Sequence, residues 1–562
     1  MRRQRAWWIL AAGLALGSGT AHAGGETIIP LTGEVPDDGL DHFFVPFDVP
    51  AGGAVVEIEV RHDDLSDANV LDWGLQGPDG FRGWGGGNAE PAIVGVDAAS
   101  RSYSPGAIEA GQWEVIVGKA LIDEPPGNYA LEVVLRATAT LPPQARTPYV
   151  DAAALAEGPA WYAGDFHVHS EQSGDAQPSL DDIGTFARDR GLDFVLISDH
   201  NVNTAQDFFV DLQPEHPELL FIPGVEFTTY AGHANGIGAT QWVDHKIGQP
   251  GVSIEGAIAA FHDQGAVFSI NHPAFELGAL CIGCAWNHEV DGATIDGVEI
   301  ASNSLQPLNA QFTAGAIALW DEMCAQGYHV AAIGGSDDHK AGVDLSAFQS
   351  PIGDATTLVW AERLDVPSIV QGVRDGRTVV KLQGPDDPTL TFDAVEPIEG
   401  DTIVADEVTL VAQVTGAAGQ EIRWVQNGTA EDLQVIDADP FELQRTVAAP
   451  ADGQDRYRVE VFVDGERRVV ASHLWVEASG EAGDTGGTVD GTTGGGGDGA
   501  GSASGPMGAD TGSSGTEGAA ESDSSGGCGC RSSTGAPAGG WWLVMWGLGG
   551  LAVARRGRRP AR

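Results

Sequence analysis

The sequence predicts a multidomain protein with an α/β centre between two all-β segments. Three observations carry this. The chain has 562 residues, more than a single hydrophobic core supports. Its apolar residues follow period two over about 25–140, change to short apolar runs alternating with helical spacing over 151–388, and return to period two over 389–478. Five runs of the middle segment also lead directly into histidine or an acidic residue.

Charge narrows the function classes. There are 80 Asp and Glu against 29 Lys and Arg, a formal net charge of -51. A nucleic-acid-binding surface needs a basic face, so that class is excluded. The balance fits an extracellular protein with a solvated acidic surface and carboxylate-rich metal sites. Five cysteines in this length do not make a disulfide framework.

The first residues read as an export signal. Arg2, Arg3 and Arg5 precede an apolar stretch at 7–16, and Ala21-His22-Ala23 is a small-x-small cleavage box, so residues 1–23 are expected to be removed. Segment 25–140 then alternates, as in Val55-Val56-Glu57-Ile58-Glu59-Val60, with turns such as Gly77-Pro78-Asp79-Gly80. It reads as a jelly-roll-like β-sandwich of roughly the usual 100 residues, serving as a packing or spacer module.

Segment 151–388 has buried-strand runs at 193–197, 219–222, 266–270, 297–300 and 329–333, and helical spacing at 180–190, 254–264 and 312–326. This alternation predicts an α/β barrel or a doubly wound sheet, with function at the carboxyl ends of the strands. Segment 389–478 reads as an immunoglobulin-like sandwich, with Asp464-Gly465 as a hairpin turn. Residues 479–527 are Gly, Ser, Thr and Asp with few large apolar groups, a composition that makes a flexible linker. Residues 528–562 carry Cys528-Gly529-Cys530, a short apolar stretch at 538–554 and Arg555-Arg556-Gly557-Arg558-Arg559. This order of parts resembles myxobacterial C-terminal sorting tails. The resemblance implies a short transmembrane segment, processing by a sorting protease near Cys528 or Cys530, and display at the cell surface or outer membrane, with release outside as the alternative.

The chemistry gathers at the strand ends. Two imidazoles in His167-Val168-His169 project to one face of a strand. With Asp175, His200, Glu226, His233, His272, Asp337 and His339 they make a candidate set of nine ligands. Imidazole and carboxylate suit borderline to hard divalent ions, and nine donors are enough for two or three of them. No sulfur stands near these motifs in the sequence. Cys281-Ile282-Gly283-Cys284 reads as a small disulfide, with Cys324 a distant third cysteine.

Those motifs, Ser198-Asp199-His200-Asn201, Pro223-Gly224-Val225-Glu226, Gly232-His233-Ala234-Asn235, Asn271-His272-Pro273 and Gly335-Ser336-Asp337-Asp338-His339 among them, resemble the PHP (polymerase and histidinol phosphatase) domain, and within it the CehA/McbA branch. The resemblance spans about residues 160–385. It implies a central distorted (β/α)7 barrel flanked by the two β-sandwich domains, and a trinuclear centre of Mn, Fe or Zn. By the same resemblance His167, His169 and Asp337 hold one metal, Glu226 bridges it to a second held by His233 and His272, and Asp175, His200 and His339 hold a third. The chain departs from the family at Ser173-Gly174-Asp175, one residue longer than the usual Ser-Asp-Gly. Asp181 and Asp182 could replace Asp175 less well, since first-turn acidic residues are common in helices anyway.

The implied activity is metal-dependent hydrolysis of a small-molecule phosphoester by a hydroxide bridging two metals. A carbamate, ester or amide hydrolase using the same site is the alternative, and a surface adhesion protein with a relic barrel is a third. Asp199 and Asn201 are expected to orient ligands, and Lys340 or Lys246 to meet substrate or solvent. Glu299 and Asn303 are candidates to line the pocket. His216, His245, His262 and His288 read as ordinary surface histidines.

Overall fold

A computed structural model describes residues 20–22 and 25–479, apart from 53–54, 67, 303–308, 343–349, 397 and 399. The charged and apolar parts of the leader, Asn303, the linker from 480 and the whole 528–562 tail lie outside the described residues. Among the described residues no helix is long and apolar enough to cross a membrane.

Near the N-terminus, two antiparallel sheets share one core. The five-stranded sheet runs Thr20–His22, Glu26–Glu34, Asn128–Arg136, Glu57–Asp63, Ala92–Gly95, and the four-stranded sheet runs His42–Val49, Gly111–Leu121, Val70–Gly77, Gly80–Gly86. Alternation turns Val45, Phe47 and Val49 inward to meet Ile58, Val60, Trp113 and Val133.

The middle of the chain is a mixed sheet that closes on itself. In order it contains Glu157–Val168, Phe194–Ile197, Leu220–Thr229, Gly232–Ile237, Val267–Ile270, Gly297–Ser302 and Ala331–Gly335. The last strand returns to the first through a bridge between Val168 and Asp338, with His169 N donating to Asp338 O at 3.0 Å. Neighbouring strands are parallel, except that Gly232–Ile237 runs antiparallel to both of its neighbours. The helices lie where the apolar spacing puts them. Leu180–Asp189 buries Leu180, Ile183 and Ala187 and starts at a capping box made by Ser179 and Asp182. Ile254–Asp263 is capped by Ser253, and Asn309–Ala325 follows the Gly297–Ser302 strand.

At residue 388 the sheet does not break. Glu157–Val168 also pairs with Thr356–Arg363, which pairs with Thr378–Lys381, and that strand pairs with Glu466–Ala471 of the C-terminal segment. The second layer there is the three-stranded sheet Thr389–Ala394, Glu407–Thr415 and Phe441–Ala448, packed through Leu390, Phe392, Leu410 and Ala412 onto Val459 and Val461. Asp464 and Gly465 turn the hairpin with φ of 52° and 83°, the paired positive values that a two-residue primed turn requires.

Candidate metal centre

The nine candidate ligands converge at one end of the ring, where the parallel strands have their carboxyl ends and the antiparallel strand Gly232–Ile237 has its amino end. His167 and His169 stand at the end of Glu157–Val168, and both are fully buried. His200 follows Phe194–Ile197 and forms a backbone bridge with Glu226 of Leu220–Thr229. His233 comes from Gly232–Ile237, His272 from just beyond Val267–Ile270, and Asp337 and His339 from just beyond Ala331–Gly335. Asn201, His272 and Asp337 have φ of 54°, 26° and 57°. That left-handed region is costly for residues with side chains, by about 1–3 kcal/mol each, and it persists only where surrounding packing imposes it.

Glu226 is the hub. Its Oε1 lies 3.2 Å from His167 Nε2 and 3.3 Å from both His233 Nδ1 and His272 Nε2. Its Oε2 lies 2.8 Å from His200 Nδ1 and 3.5 Å from His169 Nε2. Asp337 Oδ1 is 3.3 Å from His167 Nε2 and 3.2 Å from His169 Nε2. Asp175 Oδ2 is 3.2 Å from His200 Nε2 and 3.3 Å from His339 Nε2. Donors sharing an ion through bonds of about 2.1 Å sit about 3.0–3.4 Å apart, and most of these spacings fall there. Four overlapping groups result: His167, His169 and Asp337; His167, Glu226 and His272; His169, Asp175, His200 and His339; and His233, His272 and Cys284.

The hydrogen bonding is incomplete without a cation. His167 Nε2, both ring nitrogens of His169 and of His233, and Glu226 Oε2 are buried with no hydrogen-bond partner. Leaving such atoms unsatisfied costs about 1–3 kcal/mol each, so the donor set fits divalent ions. The electrostatics are mixed: against burial, Glu226 and Asp337 raise the His167 ring well above its ordinary value, and Asp175 and Glu226 do the same for His200. Burial would raise the Glu226 carboxyl, but His167, His200 and His233 hold it well below the usual carboxylate range. Burial, followed by the His339 and His200 charges, pushes the His169 ring down to about 3, so it stays neutral and able to ligate.

Outer contacts fix the ring tautomers. His167 Nδ1 donates to Glu299 Oε1 at 3.1 Å, and His272 Nδ1 donates to the Cys284 carbonyl at 3.1 Å. His339 Nδ1 donates to the Asp337 carbonyl at 2.9 Å. Each bond leaves Nε2 facing the centre. Glu299 Oε2 also accepts from the backbone His272 N at 2.8 Å, so one carboxylate holds the His167 ring and the backbone that carries His272. It lies behind the ring of donors rather than in the cleft. Asp165, pushed up to about 7 by burial, accepts from His167 N, Ser336 N and Gly353 N and ties the two ends of the barrel together.

The longer Ser-Gly-Asp segment still carries Asp175 to His200 and His339. Gly174 makes this possible: a Cβ there would lie 2.1 Å from the carbonyl oxygen of Gly85 in the N-terminal sandwich. Asp182 caps its helix, and Asp181 contacts His216 Nε2 at 2.9 Å, so neither reaches the centre. Asp199 accepts from Ser170 N and Oγ at 2.7 and 2.8 Å, and Asn201 exchanges hydrogen bonds with the Thr228 backbone. Both brace the backbone around the ligands.

Several expectations need correcting. Sulfur does stand near the centre, because the segment after His272 folds back over it. Cys281 and Cys284 form a disulfide, and Cys284 Sγ lies within 4.8 Å of donor atoms of His233 and His272. His216 and His245 are buried, not surface residues. Lys246 is buried too; it pairs with Asp244 at 2.6 Å and lies over the Trp242 ring at 4.8 Å. Lys340 N donates to Asp338 Oδ1 at 2.8 Å, and the residue is not part of the cleft lining.

The cleft above the donors has a volume of about 470 Å³. Asp175, His200, Glu226, His233, His272 and Asp337 line its floor, and among the described residues that line it there is no lysine or arginine. One wall belongs to the N-terminal sandwich, through Asp72 and residues 84–88. The sandwich is therefore more than a spacer. Tyr230 of the barrel donates to Asp72 Oδ2 at 2.6 Å across this boundary, and burial pushes the Asp72 carboxyl up to about 6.

No protein-family model matches the chain, and no curated protein matches it. Among solved structures it is similar to a two-domain protein from Bacteroides vulgatus containing a predicted PHP-like metal-dependent phosphoesterase, at 18% identity, covering 60% of this chain and 100% of that one, with a TM-score of 0.32. It is also similar to an amidohydrolase from Chromobacterium violaceum, at 15% identity over 32% of this chain and 88% of that one, with a TM-score of 0.23. A CARDB domain from Pyrococcus furiosus matches 16% of this chain and 95% of its own length at 18% identity, with a TM-score of 0.13. At these scores the likenesses add nothing to what the site's own geometry says.

Proposed function

We propose that the chain is a metal-dependent hydrolase of the PHP type, built on a distorted (β/α)7 barrel, and that it hydrolyses a small-molecule phosphoester. The observation that carries this reading is the buried, hydrogen-bond-incomplete donor set around Glu226. Two or three ions of Mn, Fe or Zn would be held, by His167, His169 and Asp337, by Glu226, His233 and His272, and by Asp175, His200 and His339. Bound there, they would supply an acidified water and offset charge on phosphoryl oxygens. The chain's own part is to fix the rings through Glu299 and the Cys284 carbonyl and to keep Glu226 ionised. The complete donor set speaks against a relic barrel. The lack of lysine and arginine among the described cleft residues favours a second reading, in which the same site cleaves an uncharged carbamate, ester or amide.

The test is to purify the mature protein and measure bound Mn, Fe and Zn. It is then assayed on p-nitrophenyl phosphate, bis-p-nitrophenyl phosphate and aryl esters with each metal. Metal content with phosphoester turnover supports the reading; turnover of aryl esters alone moves it to the second; no metal and no turnover ends both. We also propose export and attachment to the cell envelope through the C-terminal tail, which the leader and tail sequences support. Mass spectrometry of the mature C-terminus tests it, and finding Arg562 on exported protein would sink processing at Cys528 or Cys530.

A further inference from the structure

We propose that Cys284 is a thiolate ligand held in reserve for the second metal, and that the Cys281–Cys284 disulfide keeps it from binding. The inference rests on the metal-centre reading above. Cys284 is not one of the nine ligands, and the observations that bring it in concern its place beside two of them, His233 and His272. Cys284 is 2% exposed, and its sulfur forms one compact donor group with His233 and His272. Both nitrogens of His233 are buried and make no hydrogen bond, Nδ1 having only the Glu226 carboxylate at 3.3 Å, and the Cys284 carbonyl already orients the His272 ring. Cys281 and Cys284 also line the same cleft as Glu226 and His233.

Coordination chemistry gives the consequence. With the disulfide intact, Glu226, His233 and His272 are three protein ligands, the number found in open catalytic zinc sites; a fourth ligand from sulfur makes the closed, structural type. Opening the bond takes two electrons and two protons from a dithiol, which is oxidised to its own disulfide. Two thiols result, and Cys284 releases its proton to solvent when it ligates. The oxidised protein is thus the open form, and a thiol-reducing environment closes the second position.

Cobalt(II) substitution tests this on the mature full chain. The oxidised wild type, Cys281→Ser and the double variant Cys281→Ser/Cys284→Ser are loaded with cobalt alone. The proposal expects visible ligand-field bands in all three, and a near-ultraviolet sulfur-to-cobalt charge-transfer band in Cys281→Ser only. It also expects that band to appear in wild type after treatment with a dithiol and removal of the excess. Visible bands without a charge-transfer band in both Cys281→Ser and reduced wild type overturn the proposal while leaving the metal centre standing. No visible bands in any of the proteins overturns both.

Discussion

Arg101 Nη1 donates to the carbonyl of Ala176 at 2.8 Å, so a side chain of the N-terminal sandwich holds the backbone beside Asp175. Ser102 Oγ adds a second hold on the same segment, donating to the Gln172 carbonyl at 2.7 Å in a buried position. Asp175 itself is the most exposed of the candidate ligands, so its position depends on these contacts. Arg101→Ala with Ser102→Ala is expected to lower metal content by about one ion per chain while the other positions still fill, because ligand-supporting contacts typically govern affinity more than fold. Metal analysis after gel filtration checks this. Full content in the double variant would show that the clamp is dispensable.

Glu299→Gln keeps the shape but weakens the acceptor for His167. The expected loss is about 10–100-fold in metal affinity, the usual effect of losing such an outer carboxylate. A competition titration with a chromophoric chelator reads it directly. An unchanged affinity would mean that the His167 ring is fixed by packing alone.

His169→Ala with Asp337→Ala removes two donors of one group. Metal analysis is expected to show that position empty, with the His233 and His272 side still able to load. Normal content would refute the assignment of donors to ions.

Chelation should lower the melting temperature of the loaded protein, because ions bind the folded chain only. At free metal of 100 Kd the lost stabilisation is about 2.7 kcal/mol. Differential scanning calorimetry before and after dialysis against a chelator measures it, and an unchanged transition would argue that no ion is resident.

Acid sensitivity is expected at the boundary between sandwich and barrel. Burial, assisted by the Lys246 charge and opposed by Asp244, pushes the His42 ring from its ordinary 6.5 down to about 4. His245, its centroid 5.6 Å away, is also held well below the ordinary value by burial and by His42 and Lys246. Between pH 6.5 and about 4 the unfolded chain takes up protons that the folded His42 refuses, so stability falls as pH falls through that window. His42→Gln should therefore lose less melting temperature than wild type between pH 7 and pH 5. Equal losses would place the sensitivity elsewhere.

The sequence made the donors legible because parallel strands buried on both faces read as apolar runs, and their ends can be found by eye at Ile197, Ile270 and Ile333. The strand Gly232–Ile237 was not legible. Its Gly-His-Ala-Asn-Gly-Ile has two glycines and little β-branched content, and it is held by pairing with Leu220–Thr229 and Val267–Ile270 rather than by propensity. Glu299 could be singled out as a strand-end carboxylate, but its place behind His167 depends on a contact 132 residues away in the chain. The Cys284 sulfur, the Arg101 hold and the Asp72 wall leave no periodic trace at all, since each joins segments that only the finished fold brings together.

The seam between Val168 and Asp338 has a temporal meaning. It joins residues about as far apart as Asp165 and Ser336, which are separated by 171 positions. A chain growing from its N-terminus carries seven of the nine candidate donors before Asp337 and His339 are made, yet has no seventh strand to hold them in a ring. Closing so long a loop is a late event in folding. Ion capture should accordingly be a property of the completed polypeptide, and nascent chains halted before residue 331 should emerge from synthesis essentially metal-free.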